Sequence, residues 1–250
     1  MSFTSDEMQR LQSYINRDAE AAALFQKLLQ SQDMERHKIC HEIRNPLTLV
    51  SSTLQLIESQ HPEVCSFDYW STLCTDLEYM IHLLEEFSQF NNSTALHLET
   101  FSFRTFMEKL VLSFAASCAD TDIEFTSCLQ ELPDITGDPT KLRQALLNLL
   151  KNAREAIPDS GVIRLDAWQE AGQIHIRIQD SGCGMSNEQM KEIFTPFYTS
   201  KPSGTGLGLS IVQNIVSAHQ GSILTDSSAG RGTVFEVILP LHPEHPAASR

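Results

Sequence analysis

Residues 204–209 read GTGLGL and run straight into an apolar stretch at helical spacing, SIVQNIVSA. Alternate glycines leave the main chain bare where a helix begins, and the first N–H groups of a helix have no partner inside it. Behind this segment stand DSGCGM (180–185), NLLKNAREA (148–156) and HEIRNPL (41–47). Each is common alone, since a glycine-rich run is often only a turn. In this order they describe one histidine displayed on a helix, ahead of a mixed α/β domain with a glycine-lined anion cradle.

The surroundings of GTGLGL support that domain. A strand–helix unit is expected over about 100–119, then a strand at 123–127. Asp138-Pro139 pairs a capping residue with proline at the first helical position, opening a helix to about 157. Residues 161–168 and 173–180 alternate apolar and polar, which predicts a hairpin turning at Ala171-Gly172. A helix at about 207–219 and strands at 221–226 and 233–240 complete a helix layer on one mixed sheet. The domain is expected over 99–241, with a frayed tail at 242–250.

The upstream texture is purely helical. Residues 5 to about 59 carry Met8, Leu11, Ile15, Ala22, Phe25, Leu29, Ile39 and Ile43 on one seam of three-and-four spacing. The part over 1–36 reads as a coiled-coil-like segment. His61-Pro62 breaks the helix, and a second one at about 67–90 presents Phe67, Trp70, Leu73, Leu77 and Met80 on one face. The hairpin at 37–92 cannot cover its own core, so two copies are expected to form a four-helix bundle, making a homodimer. Asn91-Asn92-Ser93-Thr94 reads as the start of a short, flexible polar linker over 91–98. The fold class is therefore α+β.

Bulk composition narrows the function. A net charge of −14 argues against binding a nucleic-acid backbone. No apolar run reaches the ~18–20 residues of a membrane span, and the N-terminus lacks a signal pattern, so a cytoplasmic protein is expected. The six cysteines form no C-x-x-C pair, which fits reduced thiols.

His41, Glu42 and Asn45 sit together on the first helix, His41 and Asn45 sharing a face. A neutral imidazole with a lone pair aimed outward is a nucleophile for a γ-phosphate. An adjacent carboxylate can hold the other ring N–H and accept its proton, and Glu42 is placed for that. Pro46 has no N–H for the carbonyl of Glu42, which strains the turn carrying the histidine.

In the second domain Asn148, Asn152 and Glu155 share one helix face. An amide oxygen is a hard, neutral ligand suited to Mg²⁺. Asp180 ends an apolar strand beside glycine, where a carboxylate can accept a hydrogen bond from an adenine amino group. Gly182 and Gly184 allow close approach of a ring or phosphate. Gly204, Thr205, Gly206, Leu207 and Gly208 form the phosphate cradle, and residues 181–203 read as a flap over it. Lys201 can reach a phosphate from that flap, with Phe194, Phe197 and Tyr198 as its anchors.

These segments together resemble the two-component sensor histidine kinases. HEIRNPL is similar to their H-box, NLLKNAREA to the N-box, DSGCGM to the G1 box, IFTPFYTSK (193–201) to the F-box and GTGLGL to the G2 box. The resemblance covers about 34–241. It implies an α/β sandwich of the GHKL ATPase/kinase type after the dimeric bundle, with ATP and Mg²⁺ as ligands. It implies His41 as the residue phosphorylated from ATP, Glu42 as general base and Mg²⁺ on Asn152, with Asn148 and Glu155 nearby. Asp180 would hold the adenine amino group, supported by Thr233. The phosphoryl group would pass to an aspartate of a response-regulator receiver domain. Glu42-x-x-Asn45 matches the family's phosphatase signature, which implies the reverse role as well. With only about 35 residues before the H-box, the signal would come from a separate sensor protein or from a larger product. A docking scaffold without kinase activity would have no use for Asn152, Asp180 and GTGLGL. An ATP-driven clamp would have no use for HEIRNP and would need a water-activating Glu where Asn148 stands.

Overall fold

The computed structural model describes residues 19–201 and 204–242, with side chains from residue 38 onward. The expected helix over 5–18, the seam side chains of Met8, Leu11, Ile15, Ala22, Phe25 and Leu29, and the tail 243–250 lie outside the described residues. The chain divides into two compact units between Asn91 and Asn92.

The first unit is a helical hairpin. Helix α1 (Ala19–Gln60) continues through Pro46. It stops at His61, where φ −134° leaves the helical region, and Pro62 opens a 3-10 turn, Pro62–Ser66. Apolar spacing places the start of the next helix at 67. Phe67 is instead extended, and Tyr69 stands at φ 69° with its side chain 82% exposed. Neither conformation continues a helix, so α2 spans Trp70–Asn91. Cys40, Val64 and Leu77 are buried, whereas Ile39, Ile43, Leu49, Val50, Leu73 and Met80 stay exposed. A single hairpin leaves this apolar stripe in water, and burying each such side chain is worth roughly 1.5–3 kcal/mol.

The second unit is a helix layer on a sheet. Its elements are β1 (Glu99–Ser102), α3 (Phe103–Cys118), β2 (Ile123–Leu129), β3 (Asp134–Gly137), α4 (Pro139–Glu155), β4 (Gly161–Glu170) and β5 (Gln173–Asp180). They continue as α5 (Asn187–Glu192), α6 (Gly208–Ala218), β6 (Ser222–Ser227) and β7 (Thr233–Pro240). The sheet order is β2-β4-β5-β7-β6, with β1 and β3 forming a separate ribbon. β2 pairs parallel with β4, and the remaining pairs are antiparallel.

Strict alternation explains the layering. Ile163, Leu165 and Ala167 of β4, Ile174, Ile176 and Ile178 of β5, and Phe235, Val237 and Leu239 of β7 are all buried. The helices meet them with equally buried Met107 and Leu110 of α3, Leu146 and Leu149 of α4, and Ile211 and Ile215 of α6. The opposite sheet face is polar. There Trp168 stacks on His175 with ring centroids 5.1 Å apart, Arg177 lies over Trp168, and Glu236 accepts from His175 and Arg177.

Two segments differ from expectation. The stretch after α2 was read as a flexible linker, yet Ser93 is fully buried and its Oγ accepts a 2.9 Å hydrogen bond from Asn214 of α6. The N–H of His97 donates to Asp138 Oδ2 at 2.9 Å. This stretch is thus fastened to the second unit. The expected flap contains α5, whose start is a capping box of Ser186 and Gln189.

Candidate functional site

His41, Glu42 and Asn45 are all exposed on α1. Glu42 lies 3.8 Å from Lys38 one turn earlier. Both groups are largely in solvent, so the pair holds Glu42 only loosely. Thr48 Oγ1 donates to the carbonyl of Arg44 at 2.9 Å, just beyond Pro46.

The second unit assembles a site around α4. Asp138 caps that helix, its Oδ1 accepting from the N–H of Lys141 at 3.0 Å, and Pro139 takes the first helical position. Leu142, Leu146, Leu149, Leu150 and Ala153 are buried in the core. That burial turns Asn148 and Asn152 to a half-buried face and leaves Glu155 exposed. Asn148 Nδ2 donates to the carbonyl of Gly208 at 3.3 Å, bringing α4 to the glycine-rich segment. Glu155 accepts a 2.6 Å bond from Lys201 Nζ and has Lys151 Nζ at 3.9 Å. Lys201 is therefore at the end of α4, paired with the carboxylate expected near the metal. Among the described residues no three of His, Cys, Asp and Glu stand together to hold a metal ion. The donor set here is two amides and one carboxylate, which suits a cation that keeps waters and phosphate oxygens as its other ligands.

Asp180 lies at the end of β5, opposite Thr233 in the pairing of β5 with β7. It is 4% exposed. Its Oδ1 accepts from the N–H groups of Gly182 at 2.8 Å and Thr233 at 3.2 Å. Burial pushes this carboxyl above the usual carboxylate range, against the pull of the two amides and the Lys201 charge. Its other oxygen meets no donor among the described residues. Thr233 thus supports Asp180 through its main chain, while its hydroxyl meets Ser227 Oγ at 3.0 Å.

The glycines differ in what they do. A Cβ on Gly182 would lie 2.5 Å from the carbonyl of Ala156, so that glycine allows the loop after β5 to press on the end of α4. Gly206, at φ 72°, would put a Cβ 2.4 Å from the carbonyl carbon of Phe197, and its own carbonyl accepts from the N–H of Phe197 at 3.0 Å. Gly208 differs from these two, because a Cβ there would meet nothing within 4 Å among the described residues. α6 starts at that residue and no side chain caps it. Unclaimed helix N–H groups facing open space are the physical requirement for an anion site.

Several participants escape a reading of the residues. Ser227, at an inward-facing position of β6, accepts from the N–H of Met185 and donates to the carbonyl of Gly232. A polar residue where β6 should turn an apolar one inward is the signal for it. Gly232 sits at φ 81° with Asp180's carbonyl where a Cβ would be. His219 is buried at the end of α6. Of the expected aromatic anchors of the flap, Phe194 and Tyr198 are half-buried and Phe197 is 57% exposed, and Ile193 is buried beside them. Phe197 itself stands at φ 67°, in the left-handed region.

Residues 137–243 match the family described as histidine kinase-, DNA gyrase B- and HSP90-like ATPase. The chain is 35% identical over 208 residues to the signal transduction histidine-protein kinase AtoS of Escherichia coli (strain K12), covering 82% of this chain and 34% of that one. It is 33% identical over 205 residues to sporulation kinase C of Bacillus subtilis (strain 168), covering 81% and 47%. The chain thus spans between a third and a half of the length of these relatives. Among solved structures, the catalytic domain of the histidine kinase ThkA matches with TM-score 0.54 and 29% identity, over 59% of this chain and 97% of that one. Full-length ShkA in complex with AMPPNP matches with TM-score 0.70 over 84% of this chain and 46% of that one; at 23% identity the likeness is one of fold.

Proposed function

Residues 137–243 belong to the histidine kinase-, DNA gyrase B- and HSP90-like ATPase family, in a chain homologous to sensor histidine kinases, and from that premise we propose that this protein is an ATP-dependent protein-histidine autokinase of two-component signalling. One observation carries the reading: the uncapped, open start of α6 at Gly208 is tied to α4 through Asn148, in a chain whose other unit displays an exposed His-Glu pair.

In this reading Asp180 accepts the adenine amino group of ATP on its free oxygen. The N–H groups at the start of α6, with Gly204, Thr205, Gly206 and Leu207 leading to them, hold the phosphates. Gly182 and Gly184 let the loop after β5 pack against the carbonyls of Ala156 and Ser228, which shapes the wall beside the base, and Thr233 keeps Asp180 aimed. Asn152 would hold Mg²⁺, with Asn148 and Glu155 nearby on the same helix face. Mg²⁺ would supply neutralisation of charge on the phosphate oxygens. Lys201, which pairs with Glu155 at the end of α4, would be within reach of a phosphate held there.

His41 attacks the γ-phosphorus with an imidazole nitrogen. A P–N bond forms, the bond to the ADP oxygen breaks, and the ring proton passes to Glu42. The rate comes mainly from positioning, as in other phosphoryl transfers. The phosphoryl group then moves from His41 to an aspartate of a response-regulator receiver domain. Glu42 and Asn45 also suit the reverse task, orienting a water on the phosphorylated regulator. The apolar stripe on the hairpin suits a homodimer, and a separate sensor protein suits a signal input. No helix among the described residues is long and apolar enough to cross a membrane, in keeping with a cytoplasmic site of action.

The test is incubation with γ-labelled ATP and Mg²⁺, wild type beside His41→Gln. Acid-labile, alkali-stable label on the wild type and none on H41Q is the expected result. Equal labelling of both would remove His41 from the role, and no labelling of wild type that binds ATP would leave a docking scaffold.

A further inference from the structure

We propose that His219 is a positioning residue for the nucleotide loop: its imidazole locks the far end of α6 to the start of α4 and so fixes where the N–H groups beginning at Gly208 point. This rests on reading residues 204–208 as the phosphate cradle.

His219 follows the last residue of α6 and is 3% exposed. The N–H of Asp138 donates to its Nε2 at 2.9 Å, and its Nδ1 lies 2.8 Å from the carbonyl of Ile215. A main-chain N–H only donates and a carbonyl only accepts, so the ring is held as one neutral tautomer with its proton on Nδ1. Burial, which pushes its pKa below the ordinary value, favours the same form. Space is tight as well. A Cβ on Gly137 would lie 3.2 Å from His219 Cδ2 and equally close to Leu142 Cδ1.

The tie closes a frame. Asn148, midway along α4, holds the first residue of α6. Asp138, ahead of α4, holds the residue past the end of α6. The two helices therefore run antiparallel and are pinned at both ends of α6. Asp138 is engaged further, taking Lys141 on one oxygen and His97 on the other, and Asn214 fastens Ser93 along the same helix. An imidazole that accepts from the cap of one helix and donates within the other sets their register.

The lever is long enough to matter. α6 has 11 residues, or about 16 Å at the helical rise. A tilt of about 5° at the His219 end swings the far end by roughly 1.4 Å. Hydrogen bonds to a phosphate tolerate only about 0.5 Å in length.

Two substitutions separate the ring's contacts. Glutamine carries an oxygen about as far out as Nε2 and can accept from Asp138. Asparagine keeps a donor near Nδ1 and loses that acceptor. The full-length chain is titrated with Mg²⁺ and a non-hydrolysable ATP analogue by calorimetry, alongside thermal melts. H219Q is expected within about twofold of wild-type Kd and H219N weakened about five- to tenfold, the lower range of couplings between separate sites. Should H219N fail to fold, Gly137→Ala crowds the same ring by tenths of an ångström and is expected to raise Kd about twofold or more. Wild-type affinity in H219N, equal weakening of H219Q and H219N, or unchanged affinity in G137A with H219N unfolded would overturn the proposal. Absence of binding by wild type would instead overturn the nucleotide reading, and this proposal with it.

Discussion

Asp180→Asn separates what the carboxylate does for the fold from what it does for the nucleotide. Oδ1 holds the N–H groups of Gly182 at 2.8 Å and Thr233 at 3.2 Å, and an amide oxygen in its place keeps both. The charge itself is disfavoured by burial, so the neutral variant should fold within about 1 kcal/mol of wild type, with any difference in its favour. The second oxygen becomes an NH₂ that faces another donor, the adenine amino group. Losing a hydrogen bond to a charged acceptor costs about 1.5–3 kcal/mol, or roughly ten- to a hundredfold in Kd. Melts with and without Mg²⁺-ATP read both effects. At a ligand concentration a hundred times the wild-type Kd, wild type gains about 2.7 kcal/mol and a variant weakened about thirtyfold gains only about 0.9. Asp180→Ala is the control, leaving two buried N–H groups without an acceptor at about 1–3 kcal/mol each. Full ligand stabilisation of D180N, or a D180N fold as weak as that of D180A, would refute the reasoning.

Gly208→Val should fold normally, because a Cβ there meets nothing, yet lose nucleotide affinity by about tenfold or more through blocking the anion site; equal affinity by calorimetry counts against the cradle. Gly206→Ala should show the opposite pattern. Its φ of 72° and its contact with Phe197 predict a loss of about 1–3 kcal/mol in urea melts before any ligand is added. Tyr69→Gly relieves a left-handed conformation at an exposed site and should change stability by about +0.5 to +1 kcal/mol, read as a higher Tm of the hairpin. For pH, His219 is neutral when folded, with its pKa lowered from 6.5, so the unfolded chain binds more protons. Stability from this group is full above pH 6.5 and declines as pH falls toward the lowered folded value; urea midpoints at pH 5 and 7.5 should differ less in H219Q than in wild type.

What the residues disclosed follows from how local each signal is. The alternation of β4 and β5 is plain because one face of the sheet is buried and the other is wet. The start of α4 is plain because Asp138 and Pro139 are adjacent in the chain. β3 is four residues long and gains its partner from β1, more than thirty positions earlier, so nothing nearby announces it. α5 was announced by Ser186 and Gln189, a capping box that glycine and proline around it disguised. Aromatic residues in the flap suggested anchors; Phe194 and Tyr198 are half-buried, Phe197 is exposed, and Ile193 beside them is buried. Ser93 and His219 were illegible for one reason. Each is a polar side chain tied to a partner far along the chain, Asn214 for Ser93 and Asp138 for His219.

The two tryptophans of the sequence fall one to each unit, Trp70 at the start of α2 and Trp168 on the polar face of the sheet. Replacing either leaves a single tryptophan in a known unit, so with excitation at the indole band each unit's unfolding can be followed optically without a label. Trp168 carries an additional signal. Its ring is held between neighbours, stacked on His175 and lying beneath the Arg177 guanidinium. The emission of a Trp70→Phe chain would therefore report the state of the cluster spanning β4, β5 and β7.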